Sequence, residues 1–169
     1  MKETEHKFLI SGIKKELPWD REQIIFQWFL ESSKMGSKKI KIIFDMTRES
    51  VICVCVTKKI IKLGEAEKTV EYLLKDDIDI EKLIGIPFVL KRRSIKDKIF
   101  LDKFIRSNGI VDYLLEYEGE DIKVLEEFDI IKEVTQDISY YNQNMCDIFS
   151  ADDAGYLQFI LKIWINGND

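Results

Sequence analysis

Proline and glycine are scarce in this sequence, two and eight of 169 residues, so the chain is neither collagen-like nor a flexible low-complexity segment. Cysteine is scarce too. Cys53, Cys55 and Cys146 are the three present; they form no Cys-x-x-Cys pair, and the single histidine, His6, is distant from them in sequence. That excludes a zinc site and a disulfide framework, leaving reduced, partly buried thiols. No apolar run is long enough to span a bilayer, and the opening Met-Lys-Glu-Thr-Glu has neither the apolar core nor the cleavage site of a signal peptide. A cytoplasmic address with no membrane partner is the expectation. Positive charge is not in excess: 26 lysines and arginines stand against 31 aspartates and glutamates, a net charge of -5. This argues against general nucleic-acid binding and leaves room for a local basic site.

What is present is 46% hydrophobic and 34% charged residues, the make-up of one folded domain over residues 1–169, large enough to bury a core without covalent staples. Alternating or β-rich runs predict eight short strands over residues 3–10, 24–30, 38–44, 51–59, 69–74, 87–91, 98–105 and 110–118. Turn-like sequences separate them: Met35-Gly36-Ser37, residues 45–50, and Ser107-Asn108-Gly109 with its hairpin-favouring Asn-Gly pair. Helices are predicted over 77–84, ended by Gly85, over 121–131, and over 152–165, where Tyr156, Phe159, Ile160, Ile163 and Trp164 share a stripe suited to packing outside the sheet. The fold class is α+β, mainly antiparallel β. Because closure removes exposed edges, the strands suggest a barrel, with an open sheet as the competing architecture.

The chemistry lies in charges spaced two apart within strands, where side chains at i and i+2 share one face. Glu3, Glu5 and Lys7 do so first, with His6 turned the other way. Lys39 and Lys41 repeat the spacing, then Lys91 and Arg93, then Glu116 and Glu118. Each set alone is an ordinary hydrophilic face. Turned into a barrel, they make an acidic wall beside a basic one. Mg²⁺ and Mn²⁺ take hard carboxylate and phosphate oxygens, and the remaining phosphate charge needs lysine and arginine donors, so the two walls suit a metal-bound polyphosphate.

These residues resemble the CYTH, or triphosphate tunnel metalloenzyme, superfamily, whose members open with Glu-x-Glu-x-Lys and Phe-Leu, as Glu3-Thr4-Glu5-His6-Lys7-Phe8-Leu9 does. Ile25-Phe26-Gln27-Trp28-Phe29-Leu30 looks like the family's Gln-Gly-Tyr-Leu strand, Lys39-Ile40-Lys41 like its Arg-x-Arg, and Val56-Thr57-Lys58-Lys59 like its Thr-x-Lys. Leu101-Asp102-Lys103-Phe104 resembles its Val-Asp-x-Phe, Leu115-Glu116-Tyr117-Glu118 its Glu-x-Glu strand, and Glu133-Val134-Thr135 with Tyr140-Tyr141-Asn142 its closing motifs. The correspondences run in family order across most of the chain.

The resemblance implies a closed eight-stranded β-tunnel, its core about residues 1–145 with the helix over 152–166 outside, and metal-dependent triphosphate chemistry. Carried over by position, Glu3, Glu5 and Lys7 are catalytic; Glu3, Glu5, Asp102, Glu116 and Glu118 hold Mg²⁺ or Mn²⁺; Lys39, Lys41, Lys91, Arg93 and either Lys58 or Lys59 grip phosphates. The substrate is a small triphosphate, and a monomer and a homodimer are both open. The family's arginine pair is replaced by Lys39 and Lys41, which lose the planar fork. Its acidic pair on the fifth strand reads Thr69 and Glu71, its tyrosine Phe29, a later basic residue Ser139, and the glutamate two before Asp102 is Phe100. The leading expectation is a hydrolase of inorganic or small organic triphosphate, with an adenylyl cyclase or a non-catalytic nucleotide- or polyphosphate-binding tunnel as alternatives.

Overall fold

A computed structural model describes residues 5–33, 35–63, 65–74, 77–105 and 111–167. All eight predicted strands form: β1 (His6–Ile13), β2 (Arg21–Ser33), β3 (Gly36–Asp45), β4 (Ser50–Lys62), β5 (Glu65–Tyr72), β6 (Pro87–Lys96), β7 (Ile99–Ile105) and β8 (Val111–Tyr117). Two more are added, β9 (Phe128–Glu133) and the short β10 (Asp147–Ile148). The helices are α1 (Ile80–Leu83) and α2 (Ala151–Gly167).

The sheet is antiparallel and runs β5-β4-β3-β2-β6-β7-β8-β1-β9, with β10 on β6. β5 and β9 are the ends of this path, so among the described residues hydrogen bonds do not close the expected barrel.

Turn chemistry sets the hairpins. Asp45 Oδ1 accepts from the Thr47 and Arg48 amides at 2.9 Å each, holding the β3–β4 turn. Gly36 has φ +150°, and a Cβ there would lie 2.0 Å from the Lys59 carbonyl oxygen, so only glycine fits this turn. The predicted Asn108-Gly109 turn lies outside the described residues.

The helix predicted over 121–131 does not form. Asp121 accepts from the Lys123 amide and caps a single 3-10 turn, after which the chain extends into β9 against β1. The β-branched pair Ile130-Ile131 and the unpaired edge of β1 outweigh the local helical spacing. Only Phe128 of β9 is buried, and Asp129, Lys132 and Glu133 place charge on this edge. α1 keeps one turn of the span predicted, and Gly85 ends it at φ +89° as expected.

Period-two alternation sorts the sheet into two faces. On the outer face, Phe26, Trp28, Ile42, Val54, Phe88 and Leu90 bury themselves with Phe149 and with Ala154, Leu157 and Ile160 of α2. Phe149 meets the Trp28 and Phe88 rings edge-on at 5.3 and 5.0 Å. α2 therefore packs against this outer face, and the predicted stripe holds in part: Ile160 is buried and the half-exposed Tyr156 ring meets Phe26 at 5.9 Å, whereas Phe159 is 61% exposed and the side chains of Ile163 and Trp164 lie outside the described residues. Ala154, Leu157 and Ile160 fill the space between these rings, with Tyr156 tilted against Phe26 at the edge. A second outer cluster gathers Phe8, Ile10, Leu101, Leu115, Leu125 and Phe128.

α2 starts from a reciprocal cap, in which Ser150 Oγ accepts from the Asp153 amide and Asp153 Oδ2 from the Ser150 amide. Ser150→Ala is expected to cost about 1 kcal/mol, read as a Tm lower by about 2–4 °C in a thermal scan. Among the described residues no helix is long and apolar enough to cross a membrane.

Candidate functional site

The inner face carries the other alternate residues. Register places Lys39 and Lys41 of β3 opposite Phe29 and Gln27 of β2, Lys91 and Arg93 of β6 opposite Ile25 and Gln23, and Asp102 of β7 opposite Arg93. Glu116 of β8 pairs with Lys7 of β1. The charges read two apart in the sequence therefore meet on one face.

A segment following β9 crosses this face. Val134 and Met145 join a small cluster with Phe29, Val89, Phe104 and Leu114. Asn142 Nδ2 donates to Gln27 Oε1 at 3.1 Å, and the Tyr141 ring lies 5.9 Å from Lys7 Nζ. Adjacent residues thus reach β2 and β1, four steps apart along the sheet.

At the centre is a chain of ion pairs. Asp102, fully buried, accepts from Lys91 Nζ at 2.9 Å and from Arg93 Nε and Nη2 at 2.7 and 2.8 Å. Arg93 Nη2 continues to Glu116 Oε2 at 3.5 Å, and Lys7 Nζ reaches Glu116 Oε1 at 3.5 Å. Burial would raise the Asp102 carboxyl, but Lys91 and the Arg93 bonds bring it down to about 2. Burial works against the Arg93 guanidinium as well, and its bonds to Asp102 overcome that and raise its pKa. Two cations share one carboxylate and Arg93 takes two of the three bonds. Lys91 is the cation left short: burial first lowers its pKa, Asp102 partly restores it, and Arg93 lowers it again.

Asp102 was expected among the metal-holding residues. Both its oxygens are engaged by Lys91 and Arg93, a geometry that fixes the two cations instead of opening toward a metal ion. Phe100 stacks under the Arg93 guanidinium at 5.1 Å.

Glu5 precedes β1 at the rim. Loss of hydration first, then Glu116, raises its carboxyl; Lys7 and Arg93 oppose this and Glu118 adds to it. Glu5 is exposed to solvent, which screens these fields. Glu3 lies outside the described residues. Among the described residues no three acidic, histidine or cysteine side chains converge tightly enough to hold an ion unaided. The donor chemistry nonetheless fits a hard divalent cation: Glu5, Glu116 and Glu118 are oxygen donors close enough to repel one another, and a metal bound to substrate phosphates needs only one or two such carboxylates.

Lys39 and Lys41 are half-buried. Burial lowers the Lys39 pKa, as do Lys59, Lys68 and Lys91; burial and then Arg93 lower Lys41. Register separates Lys59 from Lys58. Lys59 pairs with Ser37 and Lys68 and shares the face of Thr57 and Cys55, opposite Lys39 and Lys41, whereas Lys58 pairs with Lys38 and Thr69 on the outer face. Thr69 and Glu71 also fall on the outer face.

Two solved structures of the protein NE1496, described as a hypothetical protein and as an inorganic triphosphatase, share 17% and 15% identity with this chain, at TM-scores of 0.47 and 0.43. Each likeness covers 85% of this chain and 96% of that one. No protein-family model and no curated protein matches the sequence.

Sequence reasoning missed Lys68, which belongs to the inner face. The signal was available in the antiparallel pairing of β4 with β5, which sets Lys59 opposite Lys68 once strand limits are known. Gln27 and Asn142 were quoted within motifs without a role; they tie the crossing segment to β2. Cys53 and Cys55 also face inward, and loss of hydration pushes the Cys53 thiol up to about 11, which keeps it protonated at neutral pH.

Proposed function

We propose that this chain is a divalent-metal-dependent hydrolase of inorganic triphosphate or a small organic triphosphate, held on the inner face of a sheet that encloses it as a tunnel. The observation that carries the reading is the charge order on that face: Glu5, Glu116 and Glu118 at one side, then Lys7, Arg93 and Lys91, then Lys39, Lys41 and Lys59. Glu5, Glu116 and Glu118, with Glu3, would hold Mg²⁺ or Mn²⁺, which when bound neutralises phosphate charge and supplies a more acidic water. Lys7 and Arg93 bind the phosphate nearest the glutamates, and Asp102 holds the guanidinium plane so that its remaining N–H groups point to the substrate. Lys39, Lys41 and Lys59 hold the rest of the chain. Donors fixed in advance by ion pairs stabilise charge as the bridging phosphorus–oxygen bond breaks and water oxygen joins the terminal phosphorus.

The test is phosphate release from triphosphate, ATP and thiamine triphosphate with Mg²⁺ or Mn²⁺. The expected result is turnover that requires the metal and is lost in Glu5→Ala and Glu116→Ala. Turnover no greater than in those variants sinks the hydrolase reading. In that case cyclic AMP and pyrophosphate from ATP would identify a cyclase, and calorimetric binding without any product a binding protein.

A further inference from the structure

β5 is one end of the sheet path, and among the described residues β4 is its one hydrogen-bonded neighbour. Folded proteins ordinarily blunt such an edge, because its free N–H and C=O groups are a template for another strand. β9, the other end, is blunted: two register shifts interrupt its pairing with β1, and it carries Asp129, Lys132 and Glu133. β5 is not. Its residues, Glu-Ala-Glu-Lys-Thr-Val-Glu-Tyr, include neither proline nor glycine and pair with β4 without a bulge. Register puts Lys68, Val70 and Tyr72 on the inner face, opposite Lys59, Thr57 and Cys55, and leaves Glu67, Thr69 and Glu71 on the outer one. Both faces are uncovered over residues 67–72. Val70 and Tyr72 are 47% and 76% exposed, and Leu74 just beyond them is exposed as well. A regular, unblunted edge that bears apolar groups is a surface for strand addition.

The charge pattern says which strand fits. When a second copy adds its own β5 antiparallel, about a two-fold axis normal to the sheet, each face continues as the same face and one residue stands opposite itself. Centring that axis on Glu67, Lys68 or Glu71 sets a like charge against itself. Centring it on Thr69 sets Glu67 against Glu71. Centring it on Val70 avoids every like pair: Val70 meets Val70, Lys68 meets Tyr72, Thr69 meets Glu71, and Glu67 meets Leu73. Lys68 gains most. Within its own chain it stands opposite Lys59, like against like, and in this register it lies against the Tyr72 ring of the second copy, a cation–π partner.

We propose that β5 is a homodimer interface, in which two copies pair their β5 edges antiparallel about Val70 and join their sheets into one. Main-chain hydrogen bonds close the open edge, the apolar Val70 pair sits on the axis, and each copy contributes its Tyr72 to the margin of the other's inner face.

The test is sedimentation equilibrium of the full chain over a range of concentrations, with a mass expected to rise toward twice 19.9 kDa. Val70→Lys sets an ammonium against its own copy on the axis and is expected to raise the dimer dissociation constant at least about tenfold. Val70 is half-exposed in the single chain, so this variant should fold, which circular dichroism checks. Val70→Cys reads the register. Directly opposed residues have Cα atoms about 4.5–5.5 Å apart, within reach of a disulfide, and oxidation by diamide should trap a covalent dimer. Lys68→Cys alone or Tyr72→Cys alone places the two new thiols about 13 Å apart, four residues along the strand, and should trap none, whereas a mixture of these two variants should. The wild type, with Cys53, Cys55 and Cys146, is the control. A monomer at every concentration overturns the proposal, as does a dimer that Val70→Lys leaves intact or that Val70→Cys does not trap. Phosphate release plays no part in these readouts, so they decide the interface whether or not the chain is a hydrolase.

Discussion

Asp102→Ala is expected to destabilise the chain by about 3–5 kcal/mol, as removal of one partner from a buried ion pair does, lowering Tm by roughly 6–20 °C in a chain of this size. The reason is what stays behind. The Lys91 and Asp102 side chains are 3% and 1% exposed, so removing the carboxylate strands an ammonium with no water and with Arg93 as its nearest charge. The pH dependence follows from the sign of the Asp102 shift. Its pKa falls from 3.8 to about 2 on folding, so the associated stability is present in full above pH 3.8 and is lost as pH drops through about 2. At neutral pH that linkage amounts to about 2–3 kcal/mol, smaller than the cost of deletion because deletion also leaves Lys91 unpaired. Urea denaturation at pH 7 and at falling pH checks both statements, and the gap between wild type and Asp102→Asn should narrow below pH 4. A loss under about 1 kcal/mol at pH 7, the size of an exposed pair, would mean that water reaches Lys91 and that the ladder is not the structural centre of the face.

Much of this arrangement was legible before any coordinates. Pairs at i and i+2 are a backbone property of strands, so Lys39 with Lys41, Lys91 with Arg93 and Glu116 with Glu118 had to share faces once the strands were recognised. Whether those faces meet depends on register and curvature, which involve residues far apart in sequence. Asp102 shows the limit: one aspartate in an apolar strand reads equally well as a metal ligand or an ion-pair partner, and only the cross-strand match to Arg93 decides. Lys58 and Lys59 were inseparable because a one-residue slip inverts a strand, and the pairing with Lys38 and Ser37 removed the ambiguity. β9 falls inside the span 121–131 read as helix; the open edge of β1 that recruits it is invisible locally.

Arg93→Lys is expected to lower kcat/KM for triphosphate by about 100-fold, comparable with removal of one preorganised donor from a transition-state site, while most of the fold's stability is retained. The substitution keeps the charge and changes its shape. The guanidinium donates twice to Asp102, reaches Glu116 with Nη2, and still has N–H groups to offer a phosphate. A lysine has three donors on a flexible stem and cannot satisfy Asp102 in a fixed plane while presenting donors to the ligand. Phe100 would also lose the flat group that stacks on it. Lys91, no longer competing with a bidentate partner for Asp102, should keep the buried pair intact, which is why activity and not Tm carries the effect. Steady-state kinetics beside a thermal scan separates the two readouts. Activity near that of the wild type would show that positive charge alone suffices at this position. The fork held by Asp102 would then be a feature of the folded core and not of the phosphate site.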